Sequence, residues 1–98
     1  MSDILNASGQ KMATIGEDNK VRNLQGVVIG LVLNNGDVHS SGRKIGSVDG
    51  RGYVYEGGDH IGTVHSDGRV FDYENHYVGK VTGEHTQSGG AALLLLVR

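Results

Sequence analysis

A short phrase of apolar residues and glycine recurs through most of the chain, at an interval of 16 or 17 residues. Its first apolar position is filled by valines such as Val38, Val54 and Val70, which are 16 residues apart. A second apolar residue, then glycine, then a third apolar residue follow, as in Ile61, Gly62 and Val64. A fixed period of this kind constrains the fold strongly, because each unit must form the same supersecondary structure.

The phrase fills five units, which begin near Asp3, Lys20, Asp37, Tyr53 and Arg69. They cover residues 3–19, 20–36, 37–52, 53–68 and 69–84, and a separate apolar tail covers residues 91–97. A chain of 98 residues is long enough for one domain with a modest core. We therefore predict a single domain over residues 1–98.

Two kinds of turn separate the apolar positions. The turn between units has a constant length, and its residue two places before the next valine is Asn19, Gly36, Gly52 or Gly68. Glycine enters the left-handed backbone region freely and asparagine tolerates it. This pattern predicts a three-residue hairpin loop that ends in a left-handed residue. The turn inside each unit is longer and varies by one residue.

The Ile-Gly-x-Val phrase predicts a bulge. Residues three apart point to opposite faces of a regular strand, so the apolar side chains of Ile61 and Val64 would lie on different faces. A bulge at Gly62 brings both residues to one face, and glycine within a strand often marks a bulge. The alternative is a regular strand in which glycine fills a crowded position. Ala13 occupies the same place in the first unit, which predicts that alanine is tolerated there.

Two short strands for each unit give an all-β fold, an up-and-down meander of about ten strands. We predict a flattened barrel or a two-layer roll, because a round ten-stranded barrel is too wide for these side chains to fill. The tail or a second chain could fill that space. The alternative is a calcium-binding β-roll, but Gly57-Gly58-Asp59 is the sole approach to its Gly-Gly-x-Gly-x-Asp phrase.

Two segments are unusually apolar. Residues 27–33, from Val27 to Leu33, carry no polar side chain, which predicts a strand that is covered on both faces. The tail, Ala91 to Val97, is far too short to span a bilayer as a helix. It fits either a strand or a helix, and we expect it to be buried in the core or in a subunit interface. We therefore expect a homodimer or a higher homo-oligomer.

Composition excludes several classes of protein. The chain has no cysteine, so disulfides and thiolate metal sites cannot form. Its net charge is -2 and it has no basic run, so we expect that it does not bind nucleic acid through phosphate contacts. Its start lacks the charged and apolar regions of a signal peptide, so we expect a cytoplasmic protein.

Catalytic and metal-binding motifs are absent from the sequence. No nucleophile motif, His-Glu-x-x-His or phosphate loop occurs, so we predict that the protein is not an enzyme and uses no cofactor. A zinc site needs three or four converging ligands. A cluster of His60, His65 and Asp67 is conceivable, but these residues also suit the polar face of a sheet, and we predict no metal site.

The aromatic residues are the best candidates for a binding site, and all five lie after residue 52: Tyr53, Tyr55, Phe71, Tyr73 and Tyr77. An aromatic row on a solvated sheet could stack on sugars or pack against a protein, but cross-strand pairing alone also explains it. We therefore predict a structural or protein-interaction module that self-associates. The alternative is a binding module for a carbohydrate or another small ligand.

Overall fold

The computed structural model describes residues 2–97 and contains ten antiparallel strands followed by a helix. The strands are β1 (Ser2–Asn6), β2 (Lys11–Ile15), β3 (Lys20–Asn23), β4 (Val28–Val32), β5 (Asp37–Ser40), β6 (Arg43–Val48), β7 (Tyr53–Glu56), β8 (Asp59–Val64), β9 (Arg69–Asp72) and β10 (Tyr77–Val81). Each strand pairs with its neighbour in the chain, and β1 pairs with β10 to close a barrel. The predicted all-β meander of ten strands is confirmed.

The barrel consists of five hairpins, which we number 1 to 5 from β1–β2 to β9–β10. The turns inside the hairpins lie at one end of the barrel, which we call the hairpin rim. The turns that join successive hairpins lie at the other end, which we call the entry end. The two long extents of the molecule, 31 and 29 Å, are nearly equal, and the third is 20 Å. A round barrel with its axis along the short extent accounts for these values.

Alternation along the strands places one set of side chains inside the barrel. Valine and isoleucine from the first and third apolar positions are buried there, including Val48 and Val54, which lie opposite each other on β6 and β7. The second apolar position is different. Ile29, Ile45, Ile61 and Val78 are half-buried and pack against the edge of this core.

The glycines before each new hairpin adopt the predicted left-handed backbone. The φ angles of Gly36, Gly52 and Gly68 are 93°, 87° and 96°, and that of Asn19 is 65°. A Cβ atom added at Gly68 would also overlap the carbonyl oxygen of Val81 on the neighbouring strand. Val81 N–H in turn donates to the carbonyl of Gly68 at 2.8 Å, so backbone conformation and close approach both require glycine.

The predicted bulge is present within the hairpins. In hairpin 4, Val54 lies opposite Gly62 and Tyr55 lies opposite His60, which leaves Ile61 as the extra residue. The prediction that alanine fits at Gly62 is wrong. A Cβ atom there would lie 2.5 Å from the carbonyl oxygen of Phe71, and a backbone atom cannot move aside cheaply.

The apolar tail forms a helix inside the barrel and not a strand. An α-helix, α1 (Thr86–Ala92), continues into a π-helical turn over Leu93–Val97. Helix α1 contacts strands from all five hairpins, so the barrel surrounds it: β1, β2, β4, β6, β8 and β10. Burial of the tail is complete up to Leu94 and partial from Leu95 to Val97. The tail thus fills the interior space that led us to expect a flattened barrel.

Small residues let the helix enter the barrel. Gly89 and Gly90 pass so close to Val81 and Val64 that a Cβ atom on either glycine would overlap the valine side chain. Two polar contacts hold the start of the helix at the entry end. The backbone N–H of His85 donates to the hydroxyl of the buried Ser2 at 2.9 Å, and Gln87 Nε2 donates to the carbonyl of Gly50 at 2.9 Å.

Four successive leucines of the tail pack against four different hairpins. A Cβ atom added at Gly62 would lie 2.6 Å from Leu94 Cδ1, so the absence of a side chain at Gly62 makes room for Leu94. The same relation holds for the pairs Gly79–Leu93, Gly46–Leu95 and Gly30–Leu96. Each step along the tail therefore moves the contact by one hairpin, from hairpin 5 to hairpin 2.

Replacing Gly68 with valine should destabilise the protein by roughly 2–5 kcal/mol, because the change combines an unfavourable φ with an overlap against Val81. Urea unfolding followed by circular dichroism measures this free energy. Gly50→Ala is the control, since Gly50 has an ordinary φ and open space around its Cα. Equal stability of Gly68→Val and the wild type would contradict this role of the turn.

Replacing Leu94 with aspartate should unfold the barrel, because a carboxylate would be buried in an apolar interior at a cost of at least about 4 kcal/mol. Removing residues 91–98 should cause loss of folding or aggregation for the same reason. Circular dichroism and light scattering measure both outcomes. The matched control is Val97→Asp, which introduces the same charge at a half-buried position and should remain folded. A folded, soluble truncated protein would show that the tail does not complete the core.

Candidate functional site

Neighbouring hairpins separate as they approach the hairpin rim. Between hairpins 3 and 4, pairing covers only Ser47 with Tyr55 and Val48 with Val54, near the entry end. Within hairpin 4, pairing continues to Glu56 and Asp59 beside the turn. The hairpins are therefore joined to each other at one end and project singly at the other, and clefts open between them.

Three of the clefts formed by residues 2–97 lie at the hairpin rim. The cleft between hairpins 1 and 2 has a volume of about 350 Å³, and its lining includes Met12, Ile29, Leu96 and Val97. The cleft between hairpins 3 and 4 is about 380 Å³ and is lined by Lys44, Ile45, Ser47 and Tyr55, among others. The smallest, about 220 Å³, lies between hairpins 4 and 5 and is lined by Glu56, Ile61, Tyr73 and Leu94. Side chains of the tail thus reach two of the three clefts.

Hairpin 2 carries a group of exposed aliphatic side chains. Leu24, Val27 and Val28 are 60%, 57% and 46% exposed, so the prediction of a strand covered on both faces is wrong at its start. Asn23 fixes this turn, because its side-chain oxygen accepts from the backbone N–H groups of Gln25 and Val27 at 3.0 Å. At the two positions of Val27 and Val28, hairpins 1, 3 and 4 carry only polar or charged residues: Gln10, Lys11, Arg43, Lys44, Asp59 and His60.

Charge is distributed unevenly around the hairpin rim. Hairpins 1 and 3 carry cations there, namely Lys11, Arg43 and Lys44. Hairpins 4 and 5 carry the carboxylates of Glu56, Asp59 and Glu74. The lysines also reach carboxylates nearer the entry end, Lys44 to Asp37 at 3.2 Å and Lys11 to Asp3 at 3.6 Å. The rim therefore has a basic side and an acidic side.

Arg22 of hairpin 2 does not contribute to the basic side. Its Nη2 donates to Asp18 Oδ2 at 2.9 Å, which directs the guanidinium toward the entry end. This hydrogen bond, together with the backbone N–H of Lys20, lowers the pKa of Asp18 to about 2. Hairpin 2 therefore presents its aliphatic group to the rim without a charge beside it.

A second surface, which we call the aromatic band, lies on the outside of hairpins 4 and 5. Tyr53 and Tyr55 flank the inward-facing Val54, and both rings contact His60, with centroids 5.2 and 5.7 Å apart. On the next strands, the Phe71 ring contacts His65 at 4.7 Å and Tyr77 at 5.7 Å. Thr63 lies opposite both Tyr53 and Phe71, so it joins the two clusters.

Each cluster carries a guanidinium group held by a carboxylate. The Arg51 guanidinium lies 4.6 Å from the centre of the Tyr53 ring and donates to Asp49 at 3.2 Å. Arg69 lies 5.8 Å from the Phe71 ring and donates to Asp67 at 2.7 Å. The backbone N–H of Arg69, and then its side chain, lower the pKa of Asp67. Cation–π contacts of this kind fix the rings and leave polar groups beside them.

The structure brings together four of the five aromatic residues that the sequence singled out, in the band. The fifth, Tyr73, is 68% exposed and lies at the rim cleft between hairpins 4 and 5. The exposed aliphatic group of hairpin 2 was not predicted from the sequence. The interruption of a polar column by Val27 and Val28 was the signal that could have identified it.

The two histidines considered as metal ligands, His60 and His65, make different contacts. His60 contacts the tyrosines and Thr63, whereas His65 contacts Phe71. Within residues 2–97, ligand atoms of Asp72, Glu74 and His76 lie within 4.8 Å of one another. Asp72 Oδ1 already accepts from the backbone N–H groups of Glu74 and His76 at 3.0 and 2.9 Å, so the geometry of the turn explains this group.

In the described part of the chain, no helix combines the length and the apolar character needed to cross a membrane. Comparisons with family models, with curated proteins and with solved structures find no match for this chain.

Proposed function

We propose that the protein is a non-enzymatic interaction module that self-associates through its hairpin rim. The observation that carries this proposal is the aliphatic group of Leu24, Val27 and Val28, exposed beside a cleft lined by Leu96 and Val97. Contiguous exposed apolar surface on a small soluble domain marks an interaction site. Burial of this group in a subunit interface removes it from water, which favours association.

Binding, as opposed to catalysis, is also supported by the roles of the acidic side chains. Asp49, Asp67 and Asp72 each accept hydrogen bonds from backbone N–H groups of their own turns. Aspartate is common in turns because its side chain accepts hydrogen bonds from the nearby backbone. These carboxylates therefore have structural roles that a general acid or base would not require.

Analytical ultracentrifugation tests self-association. We expect the wild-type protein to form a dimer or larger oligomer as its concentration rises from low micromolar toward millimolar. Replacing Leu24, Val27 and Val28 together with Ser, Thr and Thr should weaken this association by at least about tenfold, since each removed contact loses apolar burial. A wild-type protein that remains a monomer over this range would contradict the proposal.

The matched control for this experiment is Leu33→Ser. Leu33 is a half-buried aliphatic residue of the same β3–β4 unit, but it lies at the entry end. Its replacement should leave the dissociation constant unchanged. Circular dichroism of each variant establishes that the barrel remains folded.

A second candidate function is a binding module for a carbohydrate or another small ligand, and the aromatic band supports it. Tyr53, Tyr55, Phe71 and Tyr77 lie on one outer face with fixed guanidinium and carboxylate groups beside them. Two strand spacings, roughly 10 Å, separate the strands of Tyr53 and Phe71. This distance suits an extended oligosaccharide that stacks one sugar on each cluster.

Titration with β-linked hexasaccharides of glucose and of N-acetylglucosamine, followed by amide chemical shifts, tests this second function. Saturable shifts should occur at the band, and Tyr55→Ala should weaken binding by roughly fivefold through loss of ring contact. Tyr73→Ala, which removes a tyrosine outside the band, should bind as the wild type does. Shifts that do not saturate, or that respond equally to both variants, would contradict a site in the band.

A further inference from the structure

We propose that two copies of the chain associate with their hairpin rims face to face about a two-fold axis that passes through hairpin 1. In this arrangement hairpin 2 of each copy meets hairpin 5 of the other, and hairpin 3 meets hairpin 4. The inference rests on the proposed self-association and adds to it the orientation of the partner.

The order of the hairpins around the ring produces these pairs. The barrel closes between β1 and β10, so hairpin 1 lies between hairpins 2 and 5, and hairpins 3 and 4 are neighbours on the opposite side. A two-fold axis in the plane of the rim turns one ring over onto the other. When that axis passes through hairpin 1, each remaining hairpin faces the one at the mirrored position. Such an interface is isologous, and it closes after two subunits.

The charges of hairpins 3 and 4 fit this arrangement. Hairpin 3 carries Arg43 beside its turn, and hairpin 4 carries Glu56 and Asp59 at the same level. Lys44 lies one residue pair further from the turn, where its ammonium group is 3.2 Å from Asp37. Face to face, each basic hairpin meets an acidic hairpin of the partner, twice in each dimer. Opposite charges at an interface fix its register and disfavour other orientations.

The apolar groups of hairpins 2 and 5 fit the same arrangement. Leu24, Val27 and Val28 of one copy meet the hairpin that carries Tyr73 and Tyr77, which are the two exposed tyrosines. These five residues are the exposed large hydrophobic residues found in residues 2–97. One rotation therefore pairs the opposite charges of hairpins 3 and 4 and the exposed apolar side chains of hairpins 2 and 5, and it places hairpin 1, with Lys11, against hairpin 1 of the partner on the axis.

The size of the rim also suits a stable dimer. A disc of 31 by 29 Å has an area of roughly 700 Å², which is the largest flat area that the rim can offer, and each partner buries ~800 Å² in an interface of standard size. The entry end is less suited to receive the rim, because a rim-to-entry contact would leave both ends open for further copies.

A charge-swap experiment tests the pairing of hairpins 3 and 4. One variant, Arg43→Glu with Lys44→Glu, makes hairpins 3 and 4 both acidic. A second, Glu56→Lys with Asp59→Lys, makes both basic. Each variant alone should dissociate at least about tenfold more readily than the wild type, and an equimolar mixture should recover the dimer as a heterodimer. Lys20→Glu with Lys80→Glu makes the same change in net charge as the first variant, but away from the rim, and should leave the dimer intact.

The outcomes separate this inference from the proposed function. If the wild type forms dimers but both charge variants also do so, or their mixture does not recover the dimer, the self-association stands and the rim arrangement is wrong. If the wild type is a monomer at all concentrations, both are wrong.

Cysteine crosslinking tests the pairing of hairpins 2 and 5 without any charge change. The natural chain has no cysteine, so a mixture of Leu24→Cys and Tyr73→Cys proteins reports one contact only. Mild oxidation should give a mixed disulfide dimer in most of the protein. A mixture of Ser41→Cys and Tyr73→Cys, which places one thiol on hairpin 3, should crosslink much less. Equal yields from the two mixtures would overturn the proposed register.

Discussion

The fit between the leucines of the tail and the glycines of the barrel wall is the interaction on which the structure depends. Ten strands enclose more space than valine and isoleucine side chains can fill, and the tail occupies that space. Gly30, Gly46, Gly62 and Gly79 lack the side chains that would exclude it, and Leu93 to Leu96 pack against them one by one. Gly89 and Gly90 extend the same principle to α1, which lies against the valines of the wall.

The π-helical turn follows from this fit. Five hairpins around a closed ring lie about 72° apart, whereas an α-helix turns about 100° for each residue. Successive residues of an α-helix would therefore rotate past successive hairpins, and the contacts would lose register with the barrel wall. A π-helix, with i→i+5 hydrogen bonds, turns less for each residue and keeps Leu93 to Leu96 closer to register. The same tail continues to the hairpin rim, where Leu96 and Val97 line a cleft beside the exposed side chains of hairpin 2. Folding and the proposed association thus use one segment.

The strand order, the left-handed turns and the bulges could be predicted from the sequence, because each depends on local spacing and on glycine at a fixed place. The interior helix could not be predicted from the sequence, because residues 91–97 in isolation suit either a strand or a helix. Only the width of the closed barrel decides between the two. The exposure of Val27 and Val28 could be predicted only by comparing equivalent positions of the five units, because an apolar run by itself does not tell which of its residues projects past the sheet. For the aromatic band, alternation placed Tyr53 and Tyr55 on the outer face. The position of Tyr73 at a rim cleft depends on the turn after β9.

Nuclear Overhauser contacts between leucine methyl groups and glycine α-protons test the fit between the tail and the barrel wall, because each leucine packs against one glycine. We expect contacts in the order Leu93 with Gly79, Leu94 with Gly62, Leu95 with Gly46 and Leu96 with Gly30. Selective labelling of the leucine methyl groups resolves the four side chains. Contacts that skip a hairpin, or leucine methyl groups with no glycine contact in a folded protein, would contradict it.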